Sequence, residues 1–523
     1  MSAARPGAWV RTVALAAPSL GDNTADAERL TAALRRELGG AEVDLDLDLL
    51  QRLPGMLREH GYRVRCTVFP DRGRFALTGV AAADTNRIAA GLAIDLGTTR
   101  VALRLIDLAT GAHLAEHGCD NPQGVIGPDV LARIHHADTP GGLNELTRLV
   151  VDGLNEAIGR ICEAARLAPE AIAAVAVAGN TAMTHLFLGL EPRWMIREPY
   201  IPVVNRPGVR RAADLGLRAG PWARVLVFPN IGGYFGGDLV AGILFSDLHR
   251  RPETALLVDV GTNAEVVLGN RDWLVGCAGA AGPALEGGVT RMGMTAGPGA
   301  VDRVAIDPAS GEFRLRTIGD LPPRGICGSG VIDLAAQLFR AGMIDVRGKL
   351  VPPACGARLR VVDGIRYLVV VPAAESATGG PLMVGQPELD SLVRSKAAMY
   401  TILETLALTV GLRLEDIGTV FVAGAFGCLI DPRSAIAIGM LPDLPLERYV
   451  PIGNSSLEGA AMALTAAAAP AEIDRIRDRI TYLELNVNPE FMQRFSAAKF
   501  LPHTDLGRFP SVGHEQLNRH SGA

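Results

Sequence analysis

The segment Ile94-Asp95-Leu96-Gly97-Thr98-Thr99 is echoed far along the chain by Val258-Asp259-Val260-Gly261-Thr262-Asn263. In each, a short apolar strand runs through an aspartate into a Gly-polar-polar turn. The glycine lets the backbone approach a ligand closely, and consecutive main-chain N–H groups form an anion-binding concavity. The threonine hydroxyls add donors at the same place. The aspartate before the turn would repel a phosphate, but it suits a hydrated Mg²⁺ or an attacking water that needs orienting. A single copy is ordinary turn chemistry. Two copies, about a lobe apart, would bracket a triphosphate from both sides. The simplest fold they allow is two similar lobes facing each other.

The surrounding pattern agrees with that. Short apolar strands are expected at 92–96, 101–108, 174–178, 225–228, 255–260, 266–268 and 420–422. A long helix is expected over 143–165, with Leu146, Val150, Leu154, Ile158 and Ile161 on one face. Strands alternating with helices predict an α/β fold with a largely buried mixed sheet. Residues up to about 86 read as a separate small α+β block. Leu30, Leu34 and Leu38 mark a helix ending at Gly39-Gly40, a second helix falls near 49–61, and strands at 63–69 and 74–80 flank a turn at 70–73.

Composition removes several classes. With 523 residues, 20% charged and a net charge of -5, the chain has no basic face suited to nucleic acid. No apolar run reaches the length of a signal peptide or a membrane span, which predicts a cytoplasmic protein. The seven cysteines are scattered and none are closely paired. That spacing argues against a disulfide framework, a zinc site or an iron–sulfur cluster made by this chain alone.

Together these elements resemble the ASKHA superfamily of acetate and sugar kinases, heat-shock chaperone ATPases and actin. In that likeness 95–99 is the first phosphate loop, 259–263 the second, and Val422-Ala423-Gly424-Ala425-Phe426-Gly427 the adenosine motif. Two small-residue helices, at 236–242 and 457–461, match those that cross closely at the superfamily's hinge. The resemblance implies an actin-like ATPase with two ribonuclease H-like lobes behind a small α+β domain. The divisions expected are 1–88, 89–253, 254–510 with a return helix to the hinge, and a tail at 511–523.

Longer phrases narrow the likeness to the reductive activators of corrinoid proteins. They include Asn121-Pro122-Gln123 with Gly127-Pro128-Asp129-Val130, Gly179-Asn180-Thr181-Ala182-Met183-Thr184-His185, Pro229-Asn230-Ile231-Gly232-Gly233 and Ile326-Cys327-Gly328-Ser329-Gly330. Gly282–Gly288 and the run from Ala423 through Asp431 belong to the same set. The resemblance implies ATP-dependent reduction of a methyltransferase's corrinoid protein from Co(II) to Co(I), with ATP and Mg²⁺ as cofactors. Members usually begin with a 2Fe–2S ferredoxin domain, whereas this sequence starts about where that domain would end. The expectation is no cluster in this chain and a separate ferredoxin or flavodoxin as donor. A homodimer stays open, and no nucleic acid or membrane is expected as a partner. Rival readings are an ASKHA small-molecule kinase, a nucleotide-binding scaffold without a redox role, and an activator of radical acyl-CoA dehydratases, which needs paired cysteines.

By the same likeness Asp95, Asp259 and Asp238 would be catalytic, with Asp95 and Asp259 holding Mg²⁺ through water. Gly97, Thr98, Thr99, Gly261, Thr262, Asn263, Gly424, Ala425, Phe426 and Gly427 would contact ATP. Asp238 would orient water or metal, or simply cap its helix. Asn180 and Thr181 follow a buried strand and would sit near the terminal phosphate, or serve the turn. Glu286, among glycines, reads as part of a loop closing over the nucleotide, or as turn packing. Lys396 shares a helical stripe with Leu389, Val393, Tyr400 and Leu403; it would reach the nucleotide or snorkel to solvent. Cys327 reads as a small buried residue at a helix start, and Ser329 as a cap or a ribose contact.

Overall fold

The computed structural model describes residues 9–512, apart from 234, 261–263, 280–289, 308–309, 425–426 and 484–489. The chain divides into two compact units: Met1–Asp247 with Ser455–Ile480, and Leu248–Asn454 with Thr481–Ala523.

The first unit opens with β1 (Val10–Ala14), α1 (Asp26–Glu37), β2 (Val43–Asp44), α2 (Leu47–Glu59), β3 (Arg63–Asp71) and β4 (Arg74–Ala82). The strands form a sheet in the order β1-β3-β4-β2. Both helices are amphipathic, and Leu30, Leu34, Leu49, Leu53 and Leu57 form a core with Val64, Cys66 and Val68. The β3–β4 turn is tighter than the sequence suggests. Only Arg72 and Gly73 lie between the strands, both at positive φ, as the right-handed twist of a two-residue hairpin demands. This block is tied to the rest of its unit. Trp222 enters its core, and the Arg224 guanidinium makes two hydrogen bonds, of 2.7 and 2.9 Å, to the Asp46 carboxylate.

Next come β5 (Ala90–Leu96), β6 (Arg100–Asp107), β7 (His113–Asp120), α3 (Val130–Ala137), α4 (Gly142–Ala164), β8 (Ile172–Gly179), α5 (Thr181–Leu188), β9 (Gly208–Arg211), β10 (Arg224–Val227) and α6 (Gly237–Ser246). Their sheet runs β7-β6-β5-β8-β10-β9. Strands β5, β8 and β10 are parallel, while β6, β7 and β9 are antiparallel to their neighbours. Every residue of β8 is buried, as an apolar strand covered on both faces should be. The α4 stripe Leu146, Val150, Leu154, Ile158 and Ile161 packs into this core.

The second unit supplies β11 (Ala255–Val260), β12 (Ala264–Gly269), β13 (Leu274–Gly279), β14 (Ala300–Ile306), β15 (Phe313–Thr317), β16 (Gly325–Ile326), α7 (Gly328–Arg340) and α8 (Pro352–Cys355). It continues with β17 (Leu359–Val362), β18 (Ile365–Val371), β19 (Leu382–Gly385), α9 (Gln386–Thr409), β20 (Thr419–Ala423), α10 (Pro432–Ala437) and β21 (Tyr449–Gly453). The chain then returns to the first unit with α11 (Ser455–Thr465) and α12 (Ala469–Arg479), and ends through β22 (Ile480–Tyr482) and α13 (Phe491–Ala498). The main sheet here runs β21-β20-β11-β12-β13-β22, with β11, β20 and β21 parallel and β11, β12 and β13 forming an antiparallel meander. Strands β5 to β7 make the same meander beside parallel partners in the first unit. The duplicated aspartate turn is thus the visible part of a duplicated topology.

Small residues let α11 lie against α6. A Cβ added to Gly459 would stand 2.2 Å from the Ala241 carbonyl oxygen, so only glycine fits. A bidentate pair of 2.7 and 2.8 Å between Arg104 and Glu458 fastens α11 to β6. Among the described residues no helix is long and apolar enough to cross a membrane.

Candidate functional site

In the first unit the register of β5 against β8 sets Asp95 level with Ala178, and Leu96 level with Gly179. The turn 97–99 and the start of α5 therefore emerge side by side at strand C-terminal ends, the usual place for ligands in open α/β sheets. Asn180 joins them. Its side-chain amide donates to Thr98 Oγ1 at 2.9 Å, and its oxygen caps α5 by accepting from the Met183 N–H at 2.9 Å. The Gly236-Gly237 step must pass close by: a Cβ on Gly236 would lie 2.3 Å from the Asn180 Cα. Asp238 follows in the first turn of α6, where Gly236 is the N-cap without a side-chain bond. Asp238 is therefore not the cap; its Oδ1 accepts from the neighbouring Leu239 N–H at 2.8 Å.

Two residues without an expected role support this corner. Asn121, buried at the end of β7, donates from its side chain to the Gly97 carbonyl at 2.8 Å and from its backbone to the Thr99 carbonyl at 2.7 Å. The carbonyl oxygens, which would repel a phosphate, are thereby drawn to the Asn121 side of the turn. Ser456, in the first turn of α11, donates to Asp95 Oδ1 at 2.8 Å. Asn121 belongs to one of the family-like phrases, though without a role read from it, and Ser456 is marked in the sequence only as a polar residue at a helix start.

In the second unit Asp259 stands level with Ala423 on the parallel strand β20. Gly424 follows with φ +89, a conformation that favours glycine, and its N–H donates to the Gly453 carbonyl at 3.0 Å. Gly427 begins a short 3₁₀ turn, and a Cβ there would be 3.0 Å from Val422 Cγ1. Asp259 and the glycine turn are thus neighbours despite their separation in sequence. Gly261, Thr262, Asn263, Glu286, Ala425 and Phe426 lie outside the described residues.

Of the two readings of Thr181, its bonds match the turn role: the hydroxyl faces the carbonyls of Gly232 at 3.1 Å and Phe235 at 3.3 Å and so holds a loop. One expectation is corrected. Lys396 lies on the buried stripe of α9 as its spacing requires, but its side chain neither snorkels nor reaches a nucleotide. It is 0% exposed, and its ammonium donates to the Phe500 and Pro502 carbonyls, the latter at 2.6 Å. A buried cation needs acceptors, and the chain itself supplies them. Cys327 is the buried residue before α7, as its sequence suggests. Ser329 lies inside the helix with its Oγ 3.2 Å from Cys327 Sγ.

Burial pushes the Lys396 pKa down to about 7. The unfolded chain, with the ordinary lysine value, then holds more protons than the folded one between pH 7 and about 10.5. Stability linked to Lys396 should rise with pH across that window, by about 1.4 kcal/mol per unit for one proton. The burial penalty is fully present below pH 7. Urea midpoints of wild type and Lys396→Met, compared from pH 7 to 9, should diverge in that sense. A constant difference would mean that Lys396 stays charged in the folded protein.

Each unit thus offers a carboxylate at a strand end beside a glycine-containing turn on a parallel neighbour. Carboxylate and hydroxyl oxygens such as those of Asp95 and Ser456 suit Mg²⁺ held through water, and a turn with its carbonyls tied back suits an anion. Among the described residues no group of three His, Cys, Asp or Glu side chains is placed to hold a metal directly.

Three family models match successive parts of the chain: the RACo linker region over residues 3–96, the RACo middle region over 90–251, and the C-terminal ASKHA domain of RACo over 253–513. The corrinoid activation enzyme RamQ of Eubacterium limosum is 32% identical over 413 residues, covering 77% of this chain and 69% of RamQ. A [Co(II) methylated amine-specific corrinoid protein] reductase of Methanosarcina barkeri is 26% identical over 75% of this chain and 73% of its own. The solved structure of a reductive activator for corrinoid, iron-sulfur protein superposes with a TM-score of 0.88 at 39% identity, covering 96% of this chain and 80% of the other. The duplicated sheet with its two strand-end aspartates is accordingly an ASKHA fold, and the chain belongs to the RACo family of reductive activators of corrinoid proteins.

Proposed function

We propose that this protein hydrolyses ATP to help reduce the cobalt of a methyltransferase's corrinoid protein from Co(II) to Co(I). The observation that carries the reading is the repeated site design: Asp95 beside the Ala178–Gly179 strand end, and Asp259 beside Ala423 and the Gly424 turn. The names of the relatives, a corrinoid activation enzyme and a Co(II) corrinoid protein reductase, support the choice of partner. Asp95 and Asp259 would hold Mg²⁺ through water, and Asp238 would help orient the attacking water. When bound, Mg²⁺ neutralises charge on the terminal phosphates. The turn amides at 97–99, steadied by Asn121 and Asn180, position the triphosphate. ATP can assist an uphill electron transfer only if its states bind the partner with different affinity.

The electron comes from outside this chain in this reading. The cysteines are scattered along the sequence, with no closely spaced run of the kind that holds a cluster. A reduced ferredoxin or flavodoxin gives up one electron, and Co(II) takes it to become Co(I). The compartment is the cytoplasm, where such partners meet. The test is reconstitution of the Co(II) corrinoid protein with ATP, Mg²⁺ and a reduced donor, following Co(I) by absorbance. Co(I) should form only when donor, ATP and this protein are all present. Co(I) formation that is indifferent to this protein would remove the corrinoid reading.

A further inference from the structure

His185 lies on α5, one helical turn beyond Thr181, and is fully buried. The chemistry proposed above does not use it. Its Nδ1 is 2.7 Å from the Thr181 carbonyl oxygen, and its Nε2 is 3.1 Å from the Val203 backbone nitrogen. An amide N–H can only donate, so Nε2 accepts and Nδ1 carries the proton. The ring is therefore a neutral bridge with one assigned tautomer, joining α5 to the segment around Val203.

That segment is held a second time. The Asn205 carbonyl accepts from the Asn230 N–H at 2.8 Å, and its side-chain oxygen accepts from the Gly232 N–H at 3.4 Å. The Gly232 carbonyl in turn accepts from the Thr181 hydroxyl. Both attachments converge on the Asn180–Thr181 corner, and Asn180 is the residue bonded to Thr98 in the first phosphate turn. At the outer end Ile201 and Val203 are 61% and 55% exposed. An unbroken path of hydrogen-bonded groups thus runs from the turn to a piece of the protein's surface.

We propose that His185 is a positioning residue that couples the first phosphate turn to residues 200–205, so that nucleotide occupancy changes the order of that surface segment. The inference rests on the nucleotide reading above and names an output for it.

Peptide-resolved hydrogen exchange of the full chain, with and without Mg²⁺ and the non-hydrolysable analogue AMP-PNP, tests it. In wild type the analogue should slow exchange about tenfold both at 98–99 and at 200–205. In His185→Asn, whose shorter amide reaches Thr181 but not Val203, protection should persist at 98–99 and vanish at 200–205. His185→Gln, whose amide oxygen reaches the place of Nε2, should restore it. Protection at 98–99 without any change at 200–205 in wild type overturns the coupling, and this needs no variant. So does an unaltered response in His185→Asn. AMP-PNP that neither binds by calorimetry nor protects 98–99 overturns the nucleotide reading, and the coupling with it.

Discussion

Asp95→Ala is expected to lower ATP turnover about a hundredfold while leaving the melting temperature nearly unchanged. The carboxylate sits at a strand end, half-buried, with Ser456 Oγ 2.8 Å from one oxygen. A group that orders a hydrated metal ion contributes about 10- to 100-fold when removed. Asp259→Ala should have an effect of similar size, because its strand end repeats the design. Ser456→Ala should cost less, about tenfold, since it removes only the hydroxyl that steadies Asp95. Steady-state turnover at saturating Mg²⁺, together with thermal melts of each purified variant, measures this. Turnover near wild type in both aspartate variants would remove the catalytic assignment.

Gly459→Val should lower both stability and turnover. The first atom of any side chain there would overlap the Ala241 carbonyl, and a valine adds two methyls beyond it. Overpacking of this kind costs about 1–3 kcal/mol, and more where backbone blocks the way. Helix α11 must therefore shift from α6, and Ser456, one turn earlier on α11, shifts with it away from Asp95. We expect ATP binding to survive and hydrolysis to fall at least about tenfold, the scale of losing a supporting contact. Calorimetric binding of AMP-PNP, ATP turnover and a thermal melt separate the effects. Unchanged hydrolysis would show that the contact between the two helices does not govern the site.

Local chemistry made much of this protein legible in its sequence. An apolar run ending in Gly-polar-polar defines its own strand and turn, so β11 falls at the expected 255–260 and β5 within two residues of its expected start. The leucine spacing of α4 and the small residues of α6 and α11 likewise carry their packing faces with them. Lys396 marks the limit of such reasoning. Helical periodicity places it on the buried side of α9, but what waits there is set by residues 500 and 502, more than a hundred positions later. The same holds for Ser456 on Asp95, 361 residues apart, and for Asn121 beneath the Gly97 turn. These partners meet because strands align in one register and helices pack in one place, and no local pattern encodes that. The sequence by itself determined many of the elements, the repeat and the family. Tertiary structure alone decided which polar groups, like Lys396 and the Thr181 hydroxyl, are used up by the fold. A buried donor must find an acceptor, and only the folded chain shows which one is near.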